Sequence, residues 1–387
     1  MIRDFIKKTG SSKFFSTLLE RLGSVHTFYV DEGVPSLLVE IADMNFDLVV
    51  LWQTEFCAPY FLARGQRTVI IPMYDGCGRL PNLYWRAIRP ARCISFCRKI
   101  HKRVAKNGGD SQYYQYFPDP NLYRATQDFS TLRGFFWQRR PKEGLDWILI
   151  SKLCGNLDSL HVHLAADDGE NGPDIVAPQI SFSHWASDSS AYTEALDAAN
   201  VFFAPRLAEG IGMATLEAMA RGQCIVANDD ATANEYIIDG VNGHLFDARE
   251  PKELVLNPAH AEKYGRAARK TVEIGHEKFS RGIDDLLWFI ASTPRPNPSY
   301  AANYPAKKFI RAAYYMFTNV YATLGMLADA EKAGAFVDRE RFFYGLQTLK
   351  ARARHLPFLN LAVWRMAPRL GKFYRRQMRR TGTGRDA

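Results

Sequence analysis

The chain has 387 residues, 47% hydrophobic and 24% charged, with a formal net charge of +9. That length implies two domains and an appendage, and that apolar content excludes a disordered chain. No apolar run is long enough to span a bilayer, "MIRDFIKKTGSS" lacks the apolar core of a signal peptide, and six scattered cysteines fit a reducing cytosol better than a disulfide scaffold.

In chain order, apolar runs predict strands at 25–30 (VHTFYV), 47–52 (DLVVLW), 68–72 (TVIIP), 113–117 (YYQYF), 134–137 (GFFW) and 160–164 (LHVHL). Further runs lie at 178–182 (PQISF), 200–205 (NVFFAP), 224–227 (CIVA) and 243–246 (GHLF). Several are continuously apolar, as strands buried on both faces should be. Helical patterns separate them: KFFSTLLERL (with Ser11 or Ser12 as N-cap), KEGLDWILISKL, SSAYTEALDAA and MATLEAMAR. This alternation predicts βαβ units and parallel sheets. Prolines near 117–124 and again after 293 divide the chain. The expected domains are 1–121, 122–291 and a helical, basic extension over 292–387.

Charge is uneven. Eleven Lys/Arg and one acid lie from Lys350 onward, so the tail carries +10 and the rest −1. A basic tail implies an anionic partner, a membrane surface or a nucleic acid. Phe358, Leu361, Trp364 and Leu370 with Arg365, Arg369 and Lys372 suggest an amphipathic surface helix interrupted at Pro368. The alternative is a helix packed on the body with a solvated basic end. Nucleic acid ranks third, because no recognised binding motif accompanies the charge.

The most informative stretch is PRLAEGIGMATLEAMARGQCIVAND, 205–229. A strand leads into a glycine-containing loop, a helix with Gly222 as its C-terminal glycine, and a second strand. Ligands bind open parallel sheets at such carboxyl ends. Gly210 and Gly212 let backbone approach a ligand, and the amides of Met213, Ala214 and Thr215 would face a phosphate or sugar oxygen. On one helix, Glu209 and Glu217 would sit roughly 80° apart. With Glu209 in the loop and Glu217 one turn into the helix, both can address one ligand: Glu217 a vicinal diol, Glu209 a sugar.

With CIVANDDATANEYIIDGVNGHLFD following, this segment resembles the retaining GT-B glycosyltransferases of family GT4, whose signature is E-x7-E; the resemblance covers roughly 130–250. It implies a fold of two Rossmann-like, doubly wound parallel-sheet domains facing a cleft. It also implies transfer of a sugar, with retention, from a UDP- or GDP-linked donor to a glycan or lipid-linked acceptor in bacterial surface polysaccharide or lipopolysaccharide assembly. No metal or other cofactor is expected. The resemblance assigns Glu217 to the ribose and Glu209 to the donor sugar and its oxocarbenium-like transition state. It places the enzyme in the cytoplasm or on the inner face of the membrane. Two alternatives are a nucleotide-sugar 2-epimerase of the same fold and a non-catalytic docking scaffold.

Such enzymes hold the diphosphate with an arginine and a lysine, in a pattern like GR-x4-KG. Here GFFWQRRPKEG aligns Gln138 and Glu143 with those positions, so Arg139, Arg140 and Lys142 are the candidates after a small loop shift. On the acceptor side, Gly10 and Ser11 fall where the family has a glycine loop. In TVIIPMYDGCG, Tyr74 stands where the family often has histidine, and Asp75 is a candidate catalytic group. His161 and His163, with Asp167 and Asp168, could form a metal site, but packed histidines are the commoner outcome. Cys93 and Cys97 have one-turn helical spacing but lack the second pair a zinc site needs.

Overall fold

The computed structural model describes residues 2–3, 11–30, 41, 44, 46–78, 80, 82–139, 141, 144–165, 179–184 and 190–298. Gly10, Arg140, Lys142, Asp167, Asp168 and the whole basic tail lie outside the described residues.

The first domain runs β1 (Ile2–Arg3), α1 (Lys13–Leu19), β2 (Tyr29–Val30), β3 (Val49–Trp52), α2 (Ala58–Ala63), β4 (Thr68–Ile71), α3 (Tyr74–Cys77), α4 (Asn82–Ile88), β5 (Arg92–Ser95), α5 (Arg98–Lys106) and β6 (Ser111–Tyr113). The second runs β7 (Arg133–Gln138), α6 (Trp147–Leu153), β8 (Ser159–Leu164), β9 (Ile180–His184), α7 (Ser190–Ala198), β10 (Val201–Ala204), α8 (Met213–Ala220), β11 (Cys224–Asn228), α9 (Ala233–Tyr236) and β12 (His244–Phe246), followed by α10 (Pro258–Arg281) and α11 (Ile283–Ala291). Each domain holds a six-stranded sheet, ordered β2-β1-β3-β4-β5-β6 and β12-β11-β10-β7-β8-β9. Every ladder is parallel.

Parallel strands need both faces covered, and the sequence supplies this. The side chains of β4 (TVII) and β11 (CIVAN) are all buried. In the second sheet, the strand order reverses between β7 and β10. Their carboxyl ends therefore open a crevice, the usual ligand position in such sheets. The loops holding Arg139 and Glu209 leave those two strands.

Some expectations need correction. The run 25–30 contributes only β2, and 113–117 contributes only the last residue of β6; residues 114–118 join the two domains instead. The apolar runs of the sequence do not mark β1 or β5. Cys93 lies in β5 and Cys97 precedes α5, so they do not share a helix face. Helix α11, which a boundary at 291 assigns to the second domain, packs back on the first. The Arg92 guanidinium lies 4.4 Å from the Phe289 ring centroid and donates to the Phe289 carbonyl at 2.7 Å. Arg67 donates to the carbonyl of Thr293 at 2.7 Å, and Arg21 pairs with Asp284 at 2.6 Å.

Candidate active site

Strand β10 ends at Ala204, and buried Pro205 cannot continue the ladder. The loop then runs to Gly212, whose φ of +80° places it in the left-handed region that favours glycine and turns the chain into α8. No side chain caps this helix. Leu216 is the first to bond back, to the Gly212 carbonyl at 3.0 Å. Among the described residues, the amides of Met213, Ala214 and Thr215 have no acceptor. Gly222 closes the helix as its spacing predicts: its amide bonds to Met219 O, and that of Gln223 to Ala218 O, a Schellman arrangement.

Glu217 lies one turn into α8 and is half-buried. Burial raises its carboxyl above the ordinary value, and Arg221 pulls the other way. Arg221 is itself engaged by Asp197 at 2.6 Å and lies over the Tyr123 ring. The charge of Glu217 acts on the phenols of Tyr116, Tyr123 and Tyr192, so those rings surround it. Among the described residues its carboxylate accepts no hydrogen bond.

Glu209 lies in the loop, its side chain 23% exposed. Thr232 donates to its carbonyl at 2.9 Å from the loop after β11, and the Arg206 guanidinium reaches its Oε1 at 2.7 Å. The same guanidinium lies 3.5 Å from Asp75 Oδ2 on the first domain. Asp75 opens α3, just beyond the carboxyl end of β4. Burial raises its carboxyl; Arg206 lowers it, Glu209 raises it, and Arg139 lowers it further.

The structure thus brings Asp75, Glu209 and Arg139 together and adds Arg206. Arg139 also lies 4.5 Å from the Trp137 ring centroid. Gln138, at the aligned arginine position, is buried, and its Oε1 accepts the amide of Trp147 at 3.0 Å. It serves the start of α6. Tyr74 is 7% exposed and accepts from Lys99 Nζ at 2.8 Å. Ser11 is half-buried two residues before α1, whose Phe14 and Phe15 rings pack on Trp52, the last residue of β3, and on Phe96, just past the end of β5.

Gly210 is pressed against the first domain. A Cβ there would sit 3.1 Å from Met73 Cβ, 3.2 Å from its Sδ and 3.3 Å from Asp75 Oδ1. Gly210→Ala should therefore destabilise the protein by about 1 kcal/mol through overpacking between the domains. Thermal unfolding checks this; an unchanged melting temperature contradicts the contact.

Two residues escaped the sequence reading. Arg206 stands three residues before Glu209, a spacing that permits pairing in a turn, but its second partner is on the other domain. Glu235, between Asn234 and Tyr236, accepts from the amide of Arg98 at 2.8 Å and from Tyr113 Oη at 2.7 Å. A second-domain carboxylate thus caps helix α5 of the first and ties the domains beside the cleft.

His161 and His163 of β8 bond to serines of β9. His161 meets Ser181 and Ser183 at 2.9 and 2.8 Å, and His163 meets Ser183 at 2.8 Å. Burial, then His161 and His184, lower the imidazole of His163 to about 4. Among the described residues, no group of three or more His, Cys, Asp or Glu could hold a metal ion. Nor is any helix there long and apolar enough to cross a membrane.

Comparison with known proteins agrees with this architecture. Residues 176–276 match the family "Glycosyl transferases group 1". An alpha-maltose-1-phosphate synthase of Mycobacterium tuberculosis (strain ATCC 25618 / H37Rv) is 38% identical over 90 residues, 20% of this chain and 23% of that protein. A D-inositol 3-phosphate glycosyltransferase of Paenarthrobacter aurescens (strain TC1) is 25% identical over 187 residues, 42% of each chain. The matches thus span under half the length of these curated relatives. Among solved structures, a sucrose-phosphate synthase from Thermosynechococcus elongatus superposes with a TM-score of 0.50 at 14% identity, covering 65% of this chain and 76% of that one. Residues 176–276 thus match glycosyl transferases group 1, and they are carried on a GT-B framework of two parallel-sheet α/β domains.

Proposed function

We propose that this protein is a glycosyltransferase that moves a sugar, with retention, from a nucleotide-diphosphate donor to a glycan or lipid-linked acceptor. The observation that carries the reading is Glu217: a half-buried carboxylate without a hydrogen-bond partner among the described residues, one turn behind the open amides of 213–215. A ribose diol supplies two donors for that carboxylate, and a diphosphate supplies acceptors for the amides. Arg139 adds a cation beside the diphosphate, which gains charge as the glycosidic bond breaks. Glu209 positions the sugar and stabilises positive charge at its anomeric carbon. Asp75 meets them from the first domain, where the acceptor enters.

The family match, the curated relatives and the crevice between β7 and β10 all support this reading. The donor is UDP- or GDP-linked, and no metal is needed, since amides and guanidinium groups provide the positive field. The +10 tail favours an acceptor held at an anionic membrane surface, with the enzyme on its cytoplasmic face in surface-polysaccharide assembly. The test incubates the full chain with UDP-glucose, GDP-mannose or ADP-glucose and membrane-extracted glycolipid, and follows the anomeric signal by NMR. Transfer with retained configuration supports the proposal; inverted product or release of epimerised free sugar refutes it.

A further inference from the structure

We infer that Arg206 is a positioning residue for the transfer step, tying Glu209 of the second domain to Asp75 of the first; the inference rests on the transferase reading above. Its side chain is only 15% exposed, and its two terminal nitrogens divide the work. Nη1 holds Glu209 Oε1 at 2.7 Å within one loop, and Nη2 faces Asp75 Oδ2 at 3.5 Å across the domain boundary. The first contact survives any movement of the second domain as a body. The second exists only while the domains are together.

Glu209 has few other restraints. Thr232 Oγ1 fixes its carbonyl, and Gly210 seats the loop against Met73 and Asp75. What remains is the side-chain torsion, and the guanidinium sets it. A planar fork can address two carboxylates in fixed directions, whereas an ammonium is a point charge. Arg206 also keeps two acids compatible in one cleft. Without it, Asp75 and Glu209 would face each other with Arg139 as the remaining cation acting on Asp75. The groups acting on Asp75 are Arg206 and Glu209 from the β10 loop, Arg139 from the end of β7 and the Gly76 amide of its own turn. Nearby on the first domain, Lys99 is bonded to Tyr74.

The sign of the effect follows. Arg206 favours the ionised Asp75, while burial and Glu209 oppose it. Removing the guanidinium leaves the opposing terms, so Asp75 retains its proton to higher pH. The acid limb of any rate that needs the ionised form moves the same way.

The experiment compares wild type, Arg206→Met and Arg206→Lys by release of nucleotide from UDP-glucose, GDP-mannose or ADP-glucose in water. In this reaction the C1–O bond to the diphosphate breaks and the diphosphate leaves with the electron pair. Water oxygen bonds C1, and its proton ends on the diphosphate. Arg206→Met should lower kcat by about 10²-fold, the effect of misplacing a reacting group by about 1 Å, with nucleotide Kd unchanged and the acid limb shifted upward. Arg206→Lys should restore the limb but not kcat. Equal kcat in all three proteins, or parallel losses of kcat and nucleotide affinity with an unmoved pH limb, would overturn the inference. Carbon-13 NMR titration of the Asp75 carboxyl in ligand-free wild type and Arg206→Met reads the tie without turnover. A raised midpoint in the variant supports it, and an unmoved one overturns it. Wild type that releases nucleotide from none of the donors even with membrane-extracted glycolipid present sinks the transferase reading itself, and with it any role for Arg206 in transfer.

Discussion

Glu209→Ala should lower the rate of sugar transfer by about 10²–10³-fold, the scale of loss when one preorganised group facing the transition state is removed. Nucleotide affinity stays at the wild-type value. The reason is geometric. Glu209 lies in the β10–α8 loop, ahead of the open amides and Glu217, so under the proposed function its carboxylate would serve the sugar end of the donor rather than the nucleotide end. Its backbone is held by Thr232 and its side chain by Arg206, so little reorganisation is needed as charge develops. Glu209→Gln, which keeps shape and loses charge, should resemble the alanine variant in kcat. Steady-state kinetics with calorimetric Kd values decides the matter. An unchanged kcat for Glu209→Ala removes Glu209 from the mechanism.

The second large effect is on binding. Glu217→Ala should weaken nucleotide affinity about 10–10²-fold, corresponding to the loss of one hydrogen bond to a charged acceptor at about 1.5–3 kcal/mol. Here pH supplies a signature. Burial raises the Glu217 carboxyl, so acidification protonates it sooner than an ordinary glutamate and wild-type affinity falls from a higher pH. The alanine variant lacks that dependence.

Stability moves the opposite way. A group whose folded-state pKa is raised contributes stability below its unfolded value, and that contribution is lost as pH rises through the folded value. Ligand-free Glu217→Gln should therefore melt above wild type at neutral pH, with the difference closing on acidification. Melting curves across pH check this; a difference that grows toward acid pH contradicts the buried-carboxylate assignment.

Much of this was readable from residues alone. Continuous apolar runs announced β4, β7, β10 and β11, because strands covered on both faces have no alternation to disguise them. Gly212 and Gly222 announced the two ends of α8, since both positions need positive φ. Strand β5 stayed hidden because Arg92 opens it; only the structure shows that arginine reaching Asp110 and the carbonyl of Phe289. Helix α11 is visibly amphipathic, but amphipathicity does not say which sheet receives the apolar face. Arg206 and Glu235 were missed for the same reason. Each acts across the domain boundary, and local spacing carries no information about a partner on the other sheet.

The central claim is a nucleotide site at the crevice between β7 and β10. The most direct measurement is calorimetric titration of UDP, GDP, ADP and dTDP into the full chain. The account predicts that one binds at one site per chain, with affinity reduced in Glu217→Ala and retained in Glu209→Ala. Binding of none of the four, or binding indifferent to Glu217, would contradict it.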